Sequence, residues 1–482
     1  MRFLPARLIG SGDPARWIFA GLTLFMGLCV AGFVATESPV TLLVPFGLLA
    51  AAVGFHDYRL LYLAIWAFIP FSIEIDLPGG FSTDFPAEPM MWLVCLLLPA
   101  FLFLRHRELT FQFVFHPLAV WLVIHFFWII FTTATSEVPM VSLKYTLAKS
   151  WYLICFVLLP LWLIRDFAAY RKWAVVVFVP LVLSVIVVMV RHSTSGFSFS
   201  TINQAAFPIY RNHVDYACCL ALFLPYMWFM RQWFGQTWVK RLIEFSMLIV
   251  VAGIYFSYTR AAWVCIPLAV VAYGLIRFRL MRAAIPLALA AGILITGWMA
   301  YENRYLEFSP DYEKAITHQK FDALVSATYK LEDISTVERF YRWVAGYYMV
   351  KERPLLGFGP SSFYSSYHSY IDRHFTTYVS DNPEHSGIHN YYLMTAVEQG
   401  LPGLVIFLIL ISLTLLIGES TWHRISDKKD RQLLMAGLIS FVCNLFILTL
   451  NDTVETEKMG TFFFISIALV IFYNQQTKRA EP

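Results

Sequence analysis

Apolar runs of roughly 16 to 21 residues, bounded by charge, proline or glycine, recur along the chain from Trp17 onward. A helix rises about 1.5 Å per residue and the hydrocarbon of a bilayer is about 30 Å thick, so each run is near the length of one crossing. The pattern predicts spans at about 17–36, 39–55, 60–75, 88–104, 115–133, 147–164, 173–190, 214–230, 242–257, 261–276, 283–300, 401–418, 433–450 and 459–474. They must be helices, because an isolated strand in lipid leaves its backbone polar groups unpaired. The expected fold class is an all-α polytopic integral membrane protein of about fourteen transmembrane helices. Three regions follow: about eleven helices over residues 1–300, a long polar loop at 301–388, and about three helices over 389–482.

The loop is too polar to enter lipid and too long for a plain connector, and loops of that length in compact proteins usually carry function. Within it, Ser335 to Glu338 reads as a capping box opening an apolar, aromatic helix that runs to about Val350 and is stopped by Pro354. This helix is expected on or near the membrane surface. Eleven tyrosines in the loop either stack on sugar rings or anchor it at the headgroup layer, and the anchor is the favoured reading.

Composition agrees with a membrane protein: 59% of the residues are hydrophobic and only 14% charged. A formal charge of +4 is too small and too scattered for a nucleic-acid surface. All seven cysteines fall in apolar runs and read as small core residues without disulfides or a metal. The stretch Met1 to Arg16 has three arginines like a signal peptide's start but no small-residue cleavage site, so the first span is expected to be retained.

Lys and Arg concentrate in alternate connections, such as Arg277/Arg279/Arg282 and Arg424/Lys428/Lys429/Arg431, which predicts that both termini are cytoplasmic. The loop then faces outward. Apart from the loop, Lys144, Lys149, Arg191, Arg211, Arg260 and Lys458 stand outside, where the bias disfavours them. For Lys144, Lys149, Arg191 and Lys458 the expectation is snorkelling to headgroups or balancing of Glu137 and Glu457.

Candidate chemistry lies in IHNYYLMTAVEQGLPG, residues 388–403. A histidine there can take a proton from a hydroxyl near neutral pH, Asn390 can cap the helix, and Glu398 can orient nearby donors. The bland alternative is that His389 and Asn390 only cap a helix. Arg211, in YRNHVDYA with His213 and Asp215, is a further cationic candidate. Nucleotide-driven transport is not expected, since no phosphate-loop motif is present, and there is no HExxH zinc pattern.

The pattern H-N-x-x-L-x-x-x-x-E-x-G-x-x-G, filled by His389, Asn390, Leu393, Glu398, Gly400 and Gly403, resembles the bacterial O-antigen ligase and polymerase superfamily. Upstream, Arg339 and Trp343, then Pro354, Leu355, Leu356, Gly357, Gly359 and Phe363, are similar to its R-x-x-x-W and P-L-L-G-x-G-x-x-x-F signatures. With SYTRAAW around Arg260, the resemblance covers about residues 200–420. Two departures stand out: Ala261 follows Arg260 where Gly is frequent, and fourteen spans exceed the twelve of typical ligases.

The resemblance implies a glycosyltransferase-C-like fold in the bacterial inner membrane, working on the periplasmic side. It implies transfer of a glycan from an undecaprenyl diphosphate donor to a lipid A core hydroxyl, with no metal, nucleotide or other cofactor. Under it, Arg260 holds the diphosphate, His389 activates or orients the acceptor, and Arg339 is a second cation. Arg211, His213, Asn390, Glu398 and Trp343 are the implied substrate-binding residues. Arginine suits this role because its fork stabilises phosphate charge bidentately. The alternatives are a polymerase with a growing glycan as acceptor, a protein O-glycosyltransferase, and, from another class, a glycolipid flippase or secondary transporter. Transport is disfavoured because the polar residues gather at the outer boundary and not in mid-membrane.

Overall fold

The computed structural model of the protein describes residues 58–77, 81–105, 111–164, 166–308, 334–371, 387–452 and 454–480, with Gly47, Ala51 and Gly54 besides. The spans expected at 17–36 and 39–55 therefore lie, but for those three residues, outside the described part. The other twelve coincide with helices: α1 (Tyr58–Phe68), α2 (Ala87–Arg105), α3 (Pro117–Ala134), α4 (Pro139–Leu163), α5 (Phe167–Ser193), α6 (His213–Met230), α7 (Thr237–Phe256), α8 (Arg260–Arg277), α9 (Met281–Ala300), α11 (Tyr391–Arg424), α12 (Lys428–Ile447) and α13 (Glu457–Ala480). The loop helix α10 spans Ile334–Glu352, close to its expected bounds.

Among the described residues, α3, α4, α5, α6, α8, α9, α11, α12 and α13 are long and apolar enough to cross a membrane. The protein is a multi-pass membrane protein. Helix α7 falls short because Lys240, Arg241 and Glu244 charge its first turns, and α1 and α2 are shorter apolar helices.

Three boundaries differ from expectation, each for a physical reason. The span placed at 60–75 ends at Phe71 after Pro70, and Ile73–Leu77 forms strand β1, paired antiparallel with β2 (Phe81–Phe85). The I-E-I-D-L alternation has the period of a strand, and a proline at the helix end stops its propagation. The span placed at 147–164 begins earlier, at Pro139, which suits a helix's first turn, and runs through Lys144, so that cation does not mark its boundary. Helix α11 starts at Tyr391 and not at 401; Gly400, at φ +72°, breaks it there without ending it.

The core is built on α6, α12 and α13, the most buried of the spans. Small residues allow close approach: a Cβ on Gly437 of α12 would meet Leu469 Cδ1 of α13 at 2.9 Å, and one on Gly418 of α11 would meet Leu438 Cδ2 of α12 at 2.4 Å. Helix α9 is the opposite case, with none of its apolar stretch buried inside the chain. Five of the cysteines, Cys155, Cys218, Cys219, Cys265 and Cys443, are buried and Cys95 is half-buried, all with free thiols. Of the loop tyrosines, Tyr305, Tyr341 and Tyr367 are buried, so these belong to the core and not to a headgroup layer.

Candidate active site

The two motif stretches of the sequence fold onto each other. The Phe358 N–H donates to the Val397 carbonyl at 3.0 Å, Gly359 N–H to Glu398 O at 2.9 Å, and Leu401 N–H to Pro354 O at 2.8 Å. Glycine is required at the crossing: a Cβ on Gly357 would lie 2.5 Å from Val397 O, and one on Gly400 would lie 2.2 Å from Leu355 O, both at positive φ. Glu398 is buried, and its carboxylate accepts from the Phe363 N–H at 3.3 Å. The start of α4 locks the same turn, since Ser142 Oγ donates to Pro360 O at 2.6 Å and Glu137 pairs with Arg353 at 2.5 Å. Replacing Gly400 by alanine is expected to destabilise the protein by about 1–3 kcal/mol from backbone strain alone. A thermal unfolding midpoint in detergent equal to that of the parent would contradict it.

His389 stands on this shelf in the left-handed region, at φ +56°. A non-glycine residue held there is strained unless its surroundings impose the conformation. Four bonds do so. Trp343 Nε1 donates to Ile388 O at 3.1 Å, and the Arg342 guanidinium donates to Gly387 O at 3.1 Å. The Asn390 side chain caps α11 by accepting from Leu393 N–H at 3.0 Å, and Tyr391 N–H donates to Leu448 O at 2.9 Å.

The imidazole is half-buried, with Nδ1 4.0 Å from Asp452 Oδ1. That is beyond hydrogen-bond range, and among the described residues Nδ1 has no hydrogen-bond partner. Gly387 makes the approach possible, because a Cβ there would sit 1.8 Å from Asp452 Oδ2. Burial pushes the His389 pKa down to about 4; the Asp452 carboxylate opposes the shift, and the Arg342 and Arg339 charges add to it. The ring is therefore neutral at neutral pH, in the form that accepts a proton. Arg339, half-buried on α10, is thus within electrostatic reach of His389.

Beside this pair lies a cavity of about 350 Å³, lined by Glu74, Asp84, Arg211, Asp215, Glu457 and Lys458 among others. The β1–β2 register sets Glu74 opposite Asp84 and so delivers both carboxylates to it. Arg211 lines the cavity with its guanidinium forked onto Glu74, Nε donating at 2.8 Å. Burial, then the neighbouring Glu457, push the Asp84 carboxyl up to about 9, so it is protonated at neutral pH and able to donate. Asp215 is within electrostatic reach of both Arg211 and Asp452.

Arg260 is half-buried at the first position of α8, next to Thr259, whose Oγ1 donates to His213 O at 3.2 Å. His213 is bound to Asn203: its N–H donates to Asn203 Oδ1 at 2.9 Å and Nδ1 lies 2.7 Å from the same oxygen. His389, Asn390, Trp343 and Arg339 thus form one group; Arg260 and His213 form a second at the α6 and α8 starts, where Arg211 also stands.

The expectation of snorkelling or balancing is overturned for Lys149 and revised for Arg191, while Lys458 keeps its balancing half, buried beside Glu457 and not snorkelling. Lys149 is buried and pairs with Glu455 at 2.5 Å, with Tyr391 OH at 3.2 Å. Lys458 is buried, donating to Ser72 O at 2.7 Å and to Ile209 O, with Glu457 at 3.4 Å. Arg191 clamps the backbone at Phe207 O and Gln204 O. Of the balancing acids, Glu457 does pair with Lys458, whereas Glu137 pairs with Arg353. A charge in lipid is costly unless paired, and these find partners inside the protein before they find headgroups.

Sequence reading missed Arg342, Asp452 and Glu455. The signal available was the run NDTVETEK, 451–458, a crowd of acids in a short connection between two apolar spans. Among the described residues no group of three or more His, Cys, Asp or Glu side chains is arranged to hold a metal.

Residues 245–408 match the family model described as O-Antigen ligase. The chain carries an O-antigen ligase domain. This family takes in ligases and polymerases of lipid-linked glycan transfer. The O-antigen ligase domain contains Arg260, Arg339, Trp343, His389, Asn390 and Glu398, whereas Arg211, His213 and the Asp452–Glu455 connection lie outside the matched residues. No curated protein matches the chain.

Proposed function

We propose that the protein is an O-antigen ligase, moving a polysaccharide from undecaprenyl diphosphate to a lipid A core hydroxyl on the periplasmic face of the bacterial inner membrane. The observation that supports it is a neutral His389, strained into place between the Asp452 carboxylate and the Arg339 and Arg342 guanidiniums, within the O-antigen ligase domain. The acceptor hydroxyl gives its proton to His389 as its oxygen attacks the anomeric carbon. The bond from that carbon to the diphosphate breaks, and the lipid diphosphate departs with the electron pair. Arg260 and Arg339 stabilise the charge gathering on the leaving group. Asp452 steadies the imidazolium as it forms, its separation from Nδ1 tightening in the loaded complex.

In this reading Arg211 is a substrate clamp only once the incoming anion displaces Glu74 from its fork. His213, Trp343, Asn390 and Glu398 act as positioning residues: each is bonded to backbone or a neighbouring side chain beside a reacting group. The glycosyltransferase-C-like architecture, the fourteen spans and cytoplasmic termini belong to the same proposal, as does independence from metal and cofactor.

The test is transfer by purified protein from an undecaprenyl diphosphate glycan, offered rough lipopolysaccharide or a lipid-linked repeat as acceptor. A ladder on lipopolysaccharide is expected. Extension of the lipid-linked repeat with bare core left behind would instead establish a polymerase. Turnover should be level around neutral pH and fall as pH approaches about 4, where His389 becomes charged and can no longer accept a proton. Loss of turnover on the alkaline side alone would exclude this base.

A further inference from the structure

At the end of the bundle opposite His389 the α8–α9 turn packs against the end of α11. Met281 N–H donates to Glu419 Oε1 at 3.1 Å, and His423 Nε2 donates to Ile276 O at 3.0 Å. Between these two ties lies a second cavity of about 350 Å³, lined by Arg279, Arg282, Leu416, Glu419, Ser420, His423 and Arg424. None of these residues belongs to the proposed transfer site or to its sequence motifs, although Arg279 and Arg282 fall within residues 245–408.

The lining has three guanidiniums and one carboxylate, and that carboxylate is already buried on the Met281 N–H. The excess positive charge points to an anion. Guanidinium forks favour phosphate over other anions, because the planar N–H pairs match its oxygens. Arg279, exposed in the α8–α9 turn, has its backbone in the left-handed region at φ +58°.

The surroundings are those of lipid. Phe278 and Leu280, which flank Arg279 in the chain, and Leu287 on α9 are exposed, and Leu416 lines the cavity itself. Helix α9, which leaves from the cavity, buries none of its apolar stretch inside the chain, so acyl chains have a helix face to lie along. Basic pockets between spanning helices bind phosphate head groups of anionic lipids, whereas a merely solvated basic face lacks the apolar continuation.

We infer that this cavity is a phosphate site, occupied by the head group of an anionic phospholipid whose chains follow α9. The experiment is thermal unfolding of delipidated full-length protein in detergent, with phosphatidylglycerol or cardiolipin, phosphatidylcholine, or glycerol phosphate added. The anionic lipids should raise the midpoint and phosphatidylcholine should not. Arg279→Gln, Arg282→Gln and Arg424→Gln should each weaken the lipid's half-effect concentration by about tenfold, the loss of one charge-assisted bond pair. Lys428→Gln with Lys429→Gln, exposed on the same end but outside the cavity, should leave it unchanged. Because an arginine variant could fail to fold, native mass spectrometry of the parent protein, counting anionic lipids retained against phosphatidylcholine, gives a second reading. If glycerol phosphate alone reproduces the arginine-dependent shift, the phosphate chemistry stands and the occupant is soluble. Equal shifts with phosphatidylcholine, or equal losses in the lysine variant, would overturn the site.

Discussion

Replacing His389 by alanine is expected to lower glycan transfer by about 10²–10⁴-fold, the range general base catalysis supplies. The loss should fall on kcat, since the imidazole takes the proton only as the hydroxyl attacks, while donor binding rests on the arginines. Asp452→Asn should cost less, because the carboxylate stands 4.0 Å from Nδ1 and acts through the ring. Full turnover by His389→Ala would remove the proposed base and leave His389 as part of the α11 cap alone. An equal fall for Asp452→Asn would make the two residues one unit, in the way that catalytic pairs are non-additive.

Much of the bundle was legible because membrane helices are dictated by local composition. Twelve expected spans fall on helices, and the misplaced boundaries arise where a local window misjudges a cation, a glycine or a strand. Hydropathy treats a charge as an end, yet α4 runs through both Lys144 and Lys149, and Lys149 is buried because Glu455, some three hundred positions away, neutralises it. The alternation in 73–77 was overlooked for a related reason: an apolar window averages over a strand as readily as over a helix end.

The site was legible in its motifs and opaque in its partners. His389, Asn390 and the glycines announce themselves by spacing, and the structure explains the spacing by folding 354–363 across 397–401. Asp452 carries no such mark. It meets His389 only because Tyr391 N–H ties the start of α11 to Leu448 O, a contact between helices that sequence pattern does not encode. Arg211 shows the converse, a cation conspicuous in sequence that the structure commits to Glu74.

The second large effect is expected at Lys149. Its ammonium sits in the protein interior, bonded to Glu455 Oε1 at 2.5 Å, and that same oxygen accepts from Tyr145 OH at 2.9 Å and Tyr391 OH at 2.8 Å. Glu455 is three residues from Asp452, and Tyr391 is two from His389, so this one carboxylate ties both halves of the proposed catalytic pair to α4. Lys149→Met leaves the half-buried Glu455 carboxylate without its counter-charge, which destabilises a protein by up to about 3–5 kcal/mol. The loss should be far smaller in the double variant Lys149→Met with Glu455→Gln, because a neutral amide removes the stranded charge and still accepts from the two tyrosines. Thermal midpoints in detergent for the two single variants and the double variant check this. Additive losses would mean that the pair is not coupled. If instead the double variant recovers stability but not kcat, the pair is a positioning device for His389 and Asp452, whose charge is needed for more than folding.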